Sequence, residues 1–269
     1  MRRLLPSAGG SVVGRWTSWP LRAALGTGLL AGTWFALQRP EVQRADVAVG
    51  DRVREAGDPR VDRVVTYTTD LGSLYSVLGV AGVLAVTGRR RVATDVLGVG
   101  AAAWNLAQVN KRRVRRQRPY QTDGVRRLIR KPTGSSFPSG HAAVGAAMFW
   151  LLGDQARDTW GRRILQAVGI YVGASRVYVG VHYPTDVFGG FGMGLAVAAL
   201  WRGPVAAVNA AAVGFGTRTL RRYGPRALQL AGLAAVTVLR WRRATGRGAV
   251  QRSAAPSAPE RKAGSVKMS

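Results

Sequence analysis

The sequence predicts an all-α fold: an integral membrane bundle of six transmembrane helices, then a C-terminal helical pair and a disordered tail. Three observations predict it. Six mostly uncharged runs follow one another between residues 21 and 201, each close to the length a bilayer requires. Charge is segregated between and after those runs, with 40 Lys+Arg against 13 Asp+Glu and a formal net charge of +27. The last run carries Gly189, Gly190, Gly192 and Gly194, and small residues of this kind let membrane helices pack closely. A charge of +27 also fits a phosphate-binding surface for nucleic acid. A soluble nucleic-acid binder has no use for long uncharged stretches, so the partner read here is the bilayer and not nucleic acid. With no cysteine, disulfide stapling and thiolate zinc sites are excluded.

The runs are taken in order. Residues 21–38 form the first, with Arg22 at its edge. It starts late, is long and lacks a small-residue cleavage site, so it reads as a span and not a cleavable signal peptide. Residues 71–88 form the second. Residues 92–110 form the third, with Asp95 near its start and Asn105 and Asn110 toward its end. Residues 139–153 form a shorter fourth, 164–181 a fifth interrupted by Arg176, and 187–201 the sixth. Singly, runs four to six also suit buried helices of a soluble protein; six in series point to membrane.

Loop charges orient the bundle. The N-terminal segment 1–20 carries Arg2, Arg3 and Arg15 without an acid and reads as cytoplasmic. Residues 39–65 balance six Arg against six acids and read as an external loop. Arg89, Arg90 and Arg91, and later Arg157, Arg162 and Arg163, read as cytoplasmic. The loop 111–137 is then external, although it holds ten basic residues and one acid. That departure from the positive-inside pattern asks for a functional reason, and anion binding supplies one. Residues 203–243 read as an interfacial or cytoplasmic helical pair. Residues 244–269, rich in Ala, Ser, Pro, Arg and Gly, read as a disordered basic tail. Both termini are then cytoplasmic, and the organisation is 1–20, a bundle domain over 21–202, 203–243 and 244–269.

Three clusters hold the chemistry, and the topology brings them to one external face. In the first, Lys111 and Arg118 are seven apart and share a face if the helix continues; Pro119 then ends or kinks it. Two cations there make an anion clamp, or a run that holds anionic headgroups. In the second, Ser139 suits an N-cap, Gly140 admits close approach of a phosphate to backbone amides, and His141 falls in the first helical turn. The plainer reading is a helix cap with an incidental histidine. In the third, Arg176 is a charge inside a span, which by default marks function. His182 lies in a turn, Pro184 suits a first helical turn, and Asp186 is placed to accept the N–H of one His182 ring nitrogen. The plainer reading there is a structural histidine on a capping aspartate. Only two histidines exist in the chain, and both are in these clusters.

Lys111 to Pro119, Pro138 to His141 and Ser175 to Asp186 resemble, in order and spacing, the three signature motifs of the type 2 phosphatidic acid phosphatase (PAP2) superfamily. Phe137, Tyr183 and Pro184 resemble it too. The resemblance covers roughly residues 66–202. It implies a PAP2/haloperoxidase-like helical core and metal-free, two-step phosphoryl transfer with no cofactor. It implies His182 as nucleophile oriented by Asp186, and His141 as acid and then base. Lys111, Arg118, Ser139, Gly140, Ser175 and Arg176 are implied to bind phosphate. The implied substrate is a phospholipid or isoprenyl phosphate: phosphatidic acid, phosphatidylglycerophosphate or undecaprenyl diphosphate. Arg112, Arg113, Arg115 and Arg116 suit either a diphosphate or anionic lipid. Transfer to an alcohol, vanadate-dependent halide oxidation and a basic membrane scaffold are the rival readings; the last leaves both histidines, Asp186 and Arg176 unexplained.

Overall fold

A computed structural model describes residues 18–205 except 56 and 123. The expectations for residues 1–17, for the tail 244–269 and for all but the start of the pair 203–243 lie outside the described residues. The described chain is helical, in the order α1 (Ser18–Ala36), α2 (Pro40–Glu55), α3 (Pro59–Thr68), a tight turn Thr69–Gly72, α4 (Leu74–Val86) and α5 (Arg90–Val114). There follow α6 (Pro119–Thr122), α7 (Gly140–Gly153), α8 (Thr159–Tyr178), α9 (Pro184–Leu200) and a closing turn Trp201–Val205.

Local sequence sets these boundaries. Asp58 accepts the Arg60 amide at 2.7 Å with Pro59 at the first position, Ser73 accepts the Ser76 amide, and Asp158 accepts the Gly161 amide. Ser139 caps α7 through the Ala142 amide at 3.4 Å. The helix α5 ends where Arg115 turns left-handed, at φ 50°. The expected continuation of that helix to Arg118 therefore fails: α5 stops at Val114, and Pro119 opens the short helix α6 instead.

Helix α7 is the axis of the packing. It is apolar all round and buried along almost its whole length, and it packs on α5, α8 and α9. Val96, Val99, Ala103 and Ala107 of α5 meet Ala143, Val144, Ala147 and Met148 of α7 in a core with no exposed surface. α9 lies between α7 and α1, where backbones touch. A Cβ on Gly192 would stand 2.7 Å from the Gly26 carbonyl oxygen, and one on Gly26 would stand 2.6 Å from that of Gly192. Of the glycines expected to allow close packing, Gly192 does so at this seam, and Gly190 and Gly194 do so against the Ser139 and Ala143 carbonyl oxygens on the α7 side. At the far end, Asp154 pairs with Arg22 at 3.0 Å and with Arg202, which accounts for the charge at the edge of the first run.

One expectation needs correction and another is carried only in part. Residues 39–65 were expected to be an external loop, yet they form most of α2 and α3. Both are amphipathic helices with balanced charge, so no long apolar run marks them. The count of six spans is also not carried by the helices themselves. Among the described residues no single helix is long and apolar enough to cross a membrane; α3 with its turn and α4 pass together, bent by 70°. α4, α7 and α9 are short (13, 14 and 17 residues), while α5 and α8 carry charge at their ends.

Candidate active site

The ends of α5, α8 and the tight turn Thr69–Gly72 meet the starts of α7 and α9, and the three sequence clusters converge there. His182 is at the buried end. The turn between α8 and α9 places its ring with 2 % of the side chain exposed. Arg118 Nη1 lies 3.3 Å from His182 Nε2. Guanidinium only donates, so Nε2 is the acceptor and carries the lone pair. The proton is then on Nδ1, which faces the Ser136 hydroxyl at 3.4 Å; that hydroxyl in turn donates to Asp186 Oδ2 at 2.5 Å. Burial first, then the charges of Arg118, Lys111, Arg176 and His141, hold the His182 pKa well below the ordinary 6.5.

Asp186 does not bond His182 directly, as the sequence suggested; the separation is 3.6 Å. Its oxygens are already engaged. Oδ1 accepts Arg116 Nη1 at 2.7 Å, and Oδ2 accepts the Tyr183 amide at 2.8 Å as well as Ser136. Arg116 was read as a spare cation for diphosphate or lipid. It is instead an internal strut, bonding Asp186, Thr185 and buried Asp46 (2.7 Å) and stacking 4.1 Å over the Tyr183 ring.

Arg118 is 1 % exposed, and its N–H groups reach the carbonyls of Thr133, Gly134, Ser135 and Val181 besides His182. Arg176, 2 % exposed, donates from Nη1 to Thr69 Oγ1 at 2.9 Å. Its Nε is the one buried side-chain nitrogen or oxygen among the described residues without a hydrogen-bond partner. A buried orphan donor on a cation calls for a partner, and an anion is one that fits. Lys111 is nearly buried, and its Nζ lies beside Gly140: a side chain at residue 140 would meet it at 3.8 Å and Trp104 at 3.3 Å. Ser139 is fully buried as the α7 cap. Ser175 also turns inward, to Thr69 Oγ1 (2.8 Å) and the Val172 carbonyl (2.7 Å).

His141 stands at the more open end, its side chain 19 % exposed and edge-on to Trp104. Its Nε2 is 3.2 Å from Asp70 Oδ1. Asp70, Thr69, Ser136, Asp46 and the strut role of Arg116 were not foreseen. Asp70 left one trace: it is the single acid between residues 63 and 94, at the edge of the second apolar run. Among the described residues no group of three or more His, Cys, Asp or Glu could hold a metal ion.

An all-helical bundle that gathers two imidazoles and three buried cations, one of them with an orphan donor, where helix ends meet has the groups that phosphoryl handling needs. Comparison with known proteins makes this specific. The chain belongs to the PAP2 superfamily, whose family pattern matches residues 92–209. It is 34% identical over 150 residues to a decaprenylphosphoryl-5-phosphoribose phosphatase of Mycolicibacterium smegmatis, covering 54% of this chain and 79% of that one. It is 32% identical over 134 residues to an undecaprenyl-diphosphatase of Sulfolobus acidocaldarius, covering 49% of this chain and 64%, under two thirds, of that one. Among solved structures, a transmembrane PAP2 type phosphatidylglycerolphosphate phosphatase from Bacillus subtilis superposes with a TM-score of 0.56 at 25% identity. That match covers 71% of this chain and 93% of the other.

Proposed function

We propose that this protein is a multi-pass cell-membrane phosphatase that hydrolyses a lipid-linked phosphate or diphosphate through a phosphohistidine on His182. One observation carries the reading: the lone pair of His182 Nε2 opens beside Arg118, within the field of Lys111 and Arg176, with the orphaned Nε of Arg176 in the same cluster.

The chemistry runs in two steps. His182 Nε2 attacks phosphorus in line, forming the N–P bond as the P–O bond to the lipid breaks. The leaving oxygen takes a proton from His141. As Nε2 bonds to phosphorus, the Arg118 N–H that it accepted is released to a phosphoryl oxygen. Lys111, Arg176 and the first-turn amides at Gly140 hold the others as charge builds. Water, losing a proton to His141, then breaks the N–P bond and releases phosphate. The Nδ1–Ser136–Asp186 chain keeps the His182 ring in the attacking tautomer. Ser139 and Ser175 shape the wall that positions phosphoryl oxygens.

The membrane setting rests on the family and on the surface. Leu21, Leu25, Phe35, Leu78, Val83, Ile170 and Phe188 are large, apolar and exposed, a load that soluble monomers rarely carry. An apolar groove of about 470 Å³, lined by Val49, Val53, Ile170, Val187 and Phe188, passes beside Val177 and Pro184, next to the site, and suits a hydrocarbon tail. Six crossings place the site at the external lip, with the N-terminal segment and the C-terminal region cytoplasmic. Short helices such as α4 and α7 then cross as part of a packed bundle and not alone.

The test is an assay of purified protein in detergent on phosphatidic acid, phosphatidylglycerophosphate and undecaprenyl diphosphate. At least one is hydrolysed, and His182→Ala abolishes both turnover and an acid-labile, alkali-stable phosphoenzyme. Turnover by His182→Ala rejects the nucleophile. Vanadate inhibits, because its trigonal-bipyramidal adduct copies the transition state, and EDTA leaves activity intact; loss of activity on chelation rejects the metal-independent scheme.

A further inference from the structure

Asp70 belongs to none of the three clusters and has no part in the steps above, yet its carboxylate stands in the site. Oδ1 is 3.2 Å from His141 Nε2 and 3.6 Å from Arg176 Nη1. The turn that carries it is fixed. A Cβ on Gly72 would come within 2.4 Å of the His141 carbonyl oxygen, so the turn lies directly on α7. The Thr69 hydroxyl joins Arg176 and Ser175.

Exposure of the side chains rises from 2 % at His182 to 19 % at His141 and 70 % at Asp70. That gradient marks the way out of the hollow. In-line transfer sets nucleophile and leaving oxygen on opposite sides of phosphorus. With His182 at the closed end, the leaving oxygen is directed to the open end, toward His141 and past Asp70.

The two substrate classes differ at that place. In a lipid phosphomonoester, the P–O bond breaks, the oxygen takes the His141 proton, and a neutral alcohol departs. In a lipid diphosphate, the same bond breakage releases a lipid monophosphate that keeps negative charge on its non-bridging oxygens, whether or not the bridging oxygen is protonated. A fixed carboxylate a few ångströms away repels that charge and tolerates the alcohol. The alcohol also needs the acid; a phosphate leaving group needs it far less. Resting on the reading above, we infer that Asp70 is a specificity-determining residue that turns the site toward lipid phosphomonoesters and away from lipid diphosphates.

Farnesyl phosphate and farnesyl diphosphate share one tail, so the ratio of their kcat/KM values isolates the leaving group. The wild-type protein favours the monophosphate, and Asp70→Asn moves the ratio toward the diphosphate by about tenfold. Because the readout is a ratio within each protein, altered folding or yield cancels. A ratio unchanged by Asp70→Asn, including an equal fall on both substrates, overturns the inference and leaves Asp70 as a mere brace. Wild-type preference for the diphosphate overturns it too. His182→Ala, run alongside, separates the failures: turnover there rejects the phosphohistidine scheme itself, whereas its loss with an unchanged ratio rejects only the role of Asp70.

Discussion

The proposed role of His182 as nucleophile requires a neutral ring with the lone pair on Nε2, and both conditions are set by neighbours distant in sequence. Burial and the charges of Arg118, Lys111, Arg176 and His141 disfavour the imidazolium, so the folded-state pKa lies well below 6.5. The sign of the linkage follows. The unfolded chain binds a proton near pH 6.5 and the folded chain does not, so stability from this residue is intact above 6.5 and is lost as pH falls toward the folded-state value. With two histidines in the chain, ¹⁵N-histidine labelling checks it directly, using His141→Gln to assign the signals. The His182 imidazole keeps the neutral pattern of one protonated and one bare nitrogen at pH 6.0; a His182 that titrates near 6.5 contradicts the arrangement. The Ser139–His141 and His182–Asp186 groupings were legible in the sequence because their members lie two and four residues apart. Ser136 and Arg116 were not, because their bonds to Asp186 join residues 50 and 70 apart. The direct His182–Asp186 bond drawn from spacing alone missed the Ser136 hydroxyl between them.

At the scale of elements, the starts of α7 and α9 were legible because capping and proline chemistry is local. α2 and α3 were not, since two helices that together hold five acids and five bases look like a loop when apolar length is the criterion. Their end charges, Glu41 in the first turn of α2 and Arg52 and Arg54 in its last, were the available sign of a helix. Where helices touch is legible only as a glycine pattern, and the pattern does not say which glycines matter. Gly192 faces backbone on α1, with the Gly26 carbonyl 2.7 Å from any added Cβ, whereas Gly28 on the same helix as Gly26 has open space. Backbone cannot step aside as a side chain does. Gly192→Ala is therefore expected to destabilise the protein by about 1–3 kcal/mol, and Gly28→Ala to leave it within about 0.5 kcal/mol. Thermal unfolding in detergent of the two variants separates the outcomes; equal melting temperatures remove the seam from the account.

For the whole molecule, the argument turns on an inversion of charge. The segment 111–137, the end of α5 and the loop after it, carries ten basic residues, and the orientation derived from the other loops puts it outside, against the usual bias. Folding explains part of the excess: Lys111, Arg116 and Arg118 turn inward to the site and its strut, and their charge answers to phosphate and carboxylate rather than to topology. Helix α5 is the element that can decide the orientation. Its 25 residues rise about 38 Å at 1.5 Å each, enough in length to traverse a hydrocarbon core of about 30 Å. Arg90 at its start and Arg113 near its end are both exposed and outside the site. The chain has no cysteine, so Arg90→Cys and Arg113→Cys each introduce a single thiol without further engineering. A membrane-impermeant maleimide applied to intact cells is expected to label Arg113→Cys, and to label Arg90→Cys only after the membrane is opened. The reverse pattern places the phosphate hollow on the cytoplasmic face and removes external lipids as substrates. Labelling of both in intact cells means that α5 does not cross the membrane, and the six-span arrangement falls with it.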